Sequence, residues 1–131
     1  MARGPVRESV TIAGRPERVA VARAFAAAVL GQHSAGETAV LLLSELVTNS
    51  VRHSASGLPG RTVTVTVLVA GEVIRVEVAD QSGVTVPALR PGGSGLEGGG
   101  RGLYLVDCLA ARWGFEQVGR HTTTWFELQH R

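Results

Sequence analysis

The chain has 131 residues, 44% of them hydrophobic and 18% charged, with a formal charge of +2, which leaves room for one domain around one sizeable core. No apolar run approaches the roughly 20 residues that cross a bilayer, and no apolar stretch follows Met1-Ala2-Arg3-Gly4-Pro5, so neither a membrane span nor a secretory signal is expected. Every basic side chain is Arg and the arginines form no run, which speaks against a nucleic-acid surface and excludes both a Walker A loop and lysine Schiff-base chemistry. The lone cysteine, Cys108, excludes an internal disulfide and fits a reducing cytoplasm.

Val6 to Ile12 alternates weakly and is expected to form a strand, broken by Gly14 and Pro16. Pro16 suits the first turn of a helix, and Val19 to Leu30 continues at helical spacing as far as Gly31. Ser34-Ala35-Gly36-Glu37 reads as a capping box opening a second helix. That helix runs through Leu41-Leu42-Leu43 to about His53 and stops before Gly57 and Pro59. Thr62 to Val67 alternates with period two; after a turn at Ala70-Gly71-Glu72, Ile74, Val76 and Val78 share one face of the next strand. Val84 to Gly99 is rich in Gly and Pro, has no period, and is expected to be a long mobile loop. Gly102 to Arg112 reads as a helix, Trp113 to Val118 and Thr122 to Leu128 as closing strands. The order predicts an α/β (α+β) two-layer sandwich: a mixed, mostly antiparallel sheet covered by helices on one face, forming a single domain over residues 1–131.

Three pieces of this order carry chemistry. On a helix turning about 100° per residue, setting Glu45 at zero puts Asn49 near 40° and Arg52 near −20°. A carboxylate, an amide and a guanidinium then line one edge, with Leu42, Leu46 and Ser50 towards the sheet. A solvated stripe is the commoner meaning of such spacing, but Asn and Thr are mediocre helix formers and the edge follows a very apolar run. Asp80 continues the parity of Ile74, Val76 and Val78, so it should point towards the helices, where a carboxylate needs donors. Finally, Glu97-Gly98-Gly99-Gly100-Arg101-Gly102-Leu103 opens a helix through bare glycines whose N–H groups suit an anion.

In that order, Glu45-Leu46-Val47-Thr48-Asn49-Ser50-Val51-Arg52-His53 resembles the N box of the GHKL (Bergerat-fold) ATPases, Asp80-Gln81-Ser82-Gly83 their G1 box, and Gly100-Arg101-Gly102-Leu103 their G2 box. The short length, the phrase from Leu42 to Asn49 and the ending Trp125-Phe126-Glu127-Leu128 are most similar to the bacterial anti-sigma factor serine/threonine kinases. The resemblance implies an ATP and Mg2+ site. Asn49 would ligate the metal, Glu45 would act as general base, and Arg52 would approach the phosphates. Asp80 would accept from the adenine amino group, and Gly83 would leave room for the base. Gly100 and Gly102, in the loop with Arg101 and Leu103, would present N–H groups to phosphate, and 84–99 would be the lid. His53 is a further candidate for the phosphates or a partner, or else a structural histidine. Thr123 is a candidate nucleotide contact in the last hairpin.

The resemblance further implies a cytoplasmic anti-sigma factor that phosphorylates an anti-sigma factor antagonist, with the sigma factor and the antagonist as protein partners and a homodimer among its possible states. Ser82 and Val84 replace glycines of the usual G1 pattern, and His121-Thr122-Thr123-Thr124 lacks the lysine that many relatives carry. These departures favour the alternative, a regulatory module that switches partners without phosphoryl transfer. Cys108 is expected in the core, Trp113 and Trp125 in core and strand-edge packing, and Asp107 in solvent.

Overall fold

The structure, a computed structural model, describes residues 4–53, 60–80, 100–119 and 121–129, with backbone alone for His53, residues 100–102 and Val118. Five strands, β1 (Val6–Ala13), β2 (Thr62–Ala70), β3 (Val73–Asp80), β4 (Arg112–Val118) and β5 (His121–Gln129), form one sheet in the order β1-β2-β3-β5-β4. Every pairing among them is antiparallel, so the mostly antiparallel sheet expected from the hairpins is antiparallel throughout the described strands. Helices α1 (Val19–Leu30), α2 (Gly36–His53) and α3 (Gly100–Leu109) cover one face.

Period-two alternation builds the buried face. Val63, Val65 and Val67 of β2, Ile74, Val76 and Val78 of β3, and Phe126 and Leu128 of β5 lie in the core. They meet Ala22, Ala26 and Leu30 of α1, Ala39, Leu42, Leu43, Leu46 and Val47 of α2, and Leu103 and Val106 of α3. Burying each large aliphatic side chain stabilises the fold by roughly 1.5–3 kcal/mol before chain entropy is counted.

The two ends of the sandwich are set by local bonds. Pro16 opens a 3-10 turn (Pro16–Arg18) that leads into α1. Gly31, at φ 56°, ends α1 in a conformation that glycine adopts without strain. At the start of α2 it is His33, not Ser34 of the expected capping box, whose side chain meets the backbone: Nδ1 accepts from the Ala35 N–H at 3.1 Å. Its Nε2 lies 3.2 Å from the Gly71 carbonyl oxygen in the β2–β3 turn. The α1–α2 turn is therefore fastened to that hairpin turn, and α2, packed along β3, must run towards the Asp80 end. α3 begins at Gly100, two residues earlier than expected, and stops at Leu109; the chain then turns, and the Ala111 N–H donates to the Glu127 carbonyl at 2.8 Å. Glu127 lies far along β5 from Thr122, the partner of Asp80, so the N-terminus of α3 opens at the Asp80 end too.

Candidate functional site

The C-terminal half of α2, the end of β3 and the start of α3 thus converge at one end of the sandwich. Glu45 and Asn49 are half-buried and Arg52 is exposed, the gradation that an edge at about 0°, 40° and −20° requires. Thr48, on the outer side, turns its hydroxyl inward along the helix and donates to the Ser44 carbonyl at 2.8 Å.

Asp80 is 9% exposed and ends a strand in which every second side chain is buried, so it faces the helix layer as its parity required. Its register partners are Val63 on β2 and Thr122 on β5. The buried Oδ1 accepts no hydrogen bond from the described residues, although neither Asp80, Asn49 nor Thr122 stands free of interactions.

The last two strands lie within a residue of their expected bounds, but the candidate Thr123 does not share the face of Asp80. Thr122 and Thr124, 1% and 8% exposed, share the face of Asp80. Thr123, paired with Ala79 and Glu116, turns to the opposite, open face of the sheet. The strand that places a threonine beside Asp80 therefore does so with Thr122. The alternation of Phe126 and Leu128 with Glu127 in the same strand could have signalled this, and the run Thr122-Thr123-Thr124 hid it.

The other candidates fall variously. Gly100 opens α3, and Arg101 and Gly102 lie in its first turn; Leu103 is 4% exposed and belongs to the core. The side chain of His53 lies outside the described residues, as do Gly83 and the proposed lid, 84–99. Cys108 is exposed rather than in the core. Asp107 is exposed but does not serve solvent alone, since it accepts from Trp113 Nε1–H at 2.9 Å and ties α3 to β4. Among the described residues no group of three or more His, Cys, Asp or Glu converges. The described donors therefore offer no all-protein cage. A magnesium ion at this end would need most of its oxygen ligands from phosphate and water, with the Asn49 amide oxygen as the candidate protein donor.

The open face carries a second, charged cluster. Arg75 donates to Glu77 at 2.8 Å and to Glu127 at 2.9 Å, Arg112 also donates to Glu127, and the Arg75 guanidinium lies 4.2 Å from the Trp125 ring centroid. The hydrogen bond from Arg112 holds the Glu127 carboxyl below its ordinary value against the opposing effect of burial, with Arg75 adding to it. Burial works against the charge of Arg75, but its bonds to Glu77 and Glu127 outweigh that and raise its pKa.

Residues 12–128 match the histidine kinase-like ATPase domain family. An uncharacterized protein of Streptomyces coelicolor is 44% identical over 78 residues, covering 59% of this chain and 71% of that protein. The crystal structure of the RsbU and RsbW domains of Rv1364c from Mycobacterium tuberculosis superposes with a TM-score of 0.68 at 18% identity, covering 95% of this chain. The chain spans only 32% of that longer protein, and the likeness is one of fold.

Proposed function

The chain belongs to the histidine kinase-like ATPase domain family, and from that membership we propose that it is one ATP-binding domain. In this reading it transfers phosphate to a serine or threonine of an anti-sigma factor antagonist, restrains a sigma factor, and so regulates transcription. The observation that carries the ATP site is the family match across residues 12–128, which takes in all three pieces at the Asp80 end. The anti-sigma role is supported by the phrase from Leu42 to Asn49 and by the fold shared with the RsbU and RsbW domain structure.

The residues divide the work. Asp80, buried beside Thr122, accepts a hydrogen bond from the adenine amino group. Asn49 holds magnesium, which neutralises phosphate charge when bound. Arg52 adds positive charge from the rim, and the first turn of α3 offers N–H groups to phosphate oxygens. Glu45, one helical turn before Asn49, takes the proton of the incoming hydroxyl. That oxygen bonds to the γ-phosphorus, the bond from the γ-phosphorus to the bridging oxygen breaks, and ADP leaves with the electron pair. Such transfer depends on position and charge more than on covalent help from the protein.

The test is labelled-phosphate transfer to a candidate antagonist. Glu45→Gln should keep ATP affinity and lose roughly 10²–10⁴-fold in transfer, the usual worth of a positioned base. Equal transfer by both proteins removes Glu45 from the mechanism. ATP binding without transfer by wild type favours the partner-switching module, the reading that Ser82, Val84 and the lysine-free hairpin support.

A further inference from the structure

The described sheet ends in two edge strands, β1 and β4, which differ in how their free sides are guarded. An edge strand offers unpaired N–H and C=O groups to any second strand, and proteins block it with Lys, Pro, a bulge or a charge that points inward. β1 carries such a charge: Glu8 pairs with the buried Val67 and so stands on the helix-facing side. β4 holds neither Lys nor Pro, and its register with β5 runs without a bulge from Arg112 to Val118. Its helix-facing side chains Trp113, Phe115 and Gln117, opposite Phe126, Thr124 and Thr122, carry no charge.

Phe115 is 40% exposed, and Tyr104, about one turn before Asp107 on α3, is 47% exposed. The bond from Trp113 to Asp107 places α3 beside β4, so these rings leave apolar surface along the free edge. On the open face β4 carries Arg112, Gly114 and Glu116, opposite Glu127, Trp125 and Thr123. The Arg112 side chain is 71% exposed despite its bond to Glu127. Glu116 is exposed and makes no ion pair among the described residues. The strand is therefore self-complementary. Laid antiparallel on a second copy about a two-fold axis at Gly114, it sets Arg112 opposite Glu116, Trp113 opposite Phe115, and Gly114 opposite Gly114. Moving the axis to the next residue either way loses both ion pairs.

We propose that the free edge of β4 binds a second copy of this chain, joining two five-stranded sheets into one continuous sheet with the described helices of both copies on one side. The main-chain ladder supplies the attachment. The opposite charges on one face and the aromatic pairs on the other fix its register. A strand from another protein would meet the same free N–H and C=O groups without this match. The pairing uses the same surface on both copies, so it closes at two, and Glu8 guards the β1 edge left at each outer end against further growth. The rotation also turns the two Asp80 ends in opposite directions. The inference does not rest on the ATP reading, since it concerns the edge of the sheet and none of the residues assigned to nucleotide.

The experiment is sedimentation velocity over a range of protein concentrations, with the folding of each protein checked by thermal melts. Wild type is expected to pass from monomer to dimer. Glu116→Arg sets like charges against each other at both ends of the junction and should weaken the dimer by roughly tenfold or more. Arg112→Glu should weaken it likewise. An equimolar mixture of the two variants restores both oppositely charged pairs and should dimerise as wild type does, a recovery that a merely structural effect would not give. Arg7→Glu, on the β1 edge, should leave the dimer unchanged. A wild type that stays monomeric or assembles beyond two copies, a dimer indifferent to Glu116→Arg, or a mixture of folded variants that stays monomeric overturns the proposal. If Arg112→Glu fails to fold for want of its bond to Glu127, Glu116→Arg decides alone.

Discussion

Thr122 and Thr123 are neighbours in β5 yet face opposite sides of the sheet, and the difference decides which of them can serve a base held at Asp80. Thr122→Val keeps the buried volume and removes the hydroxyl, so it should weaken ATP binding by about 2–10-fold, the worth of a typical hydrogen bond. Thr123→Val should leave binding unchanged in the same titration; the reverse order would mean that the register has been misread. Asp80→Asn should cost far more for ATP than for pyrophosphate if its proposed contact is with the base; equal losses would make the residue structural. Residues in regular alternation were legible from sequence: the parity of Ile74, Val76 and Val78 aimed Asp80, and the helical period set Glu45, Asn49 and Arg52 on one edge. The threonine was not, because three identical side chains carry no phase of their own and it is set by Phe126 and Leu128 further along the strand.

At the scale of elements, the charged cluster on the open face joins β3, β5 and β4 through Arg75, Glu127 and Arg112. Because Glu127 is held below its ordinary value of 4.5, its stabilisation is present in full above that unfolded-state value and is lost as pH falls through the folded-state one. Glu127→Gln should therefore cost about 1 kcal/mol at neutral pH, with the gap to wild type closing as pH falls below the ordinary carboxylate value; denaturant melts across pH would show it. A constant gap would mean that packing, not charge, is lost. Beside it, a Cβ at Gly114 would lie 3.0 Å from the Trp125 ring, so Gly114→Ala should cost about 1–3 kcal/mol by overpacking, measured in the same melts. Element order and type were legible from period and turn residues. The fastening of α2 by His33 was not, since its partner Gly71 lies 38 residues away and a capping box nearby offered a local explanation. The bond from Trp113 to Asp107 was hidden for a related reason, as it depends on how α3 turns back into β4.

Over the whole molecule, the fold gathers pieces distant in sequence at one end. The antiparallel α1–α2 pair, the β2–β3 hairpin and the return of α3 into β4 together bring the second half of α2, Asp80 and Gly100 to that end. The order of motifs made this site legible as a family resemblance, and the physical reason for their meeting appears only with the sheet order. The measurement closest to the central claim is calorimetric titration with ATP, with magnesium and with excess chelator, on wild type and Asn49→Ala. Wild type should bind ATP saturably and in a magnesium-dependent way, and Asn49→Ala should still fold but lose that dependence. Folded wild type that takes up no ATP, or an Asn49→Ala protein whose magnesium-dependent binding matches wild type, would contradict it.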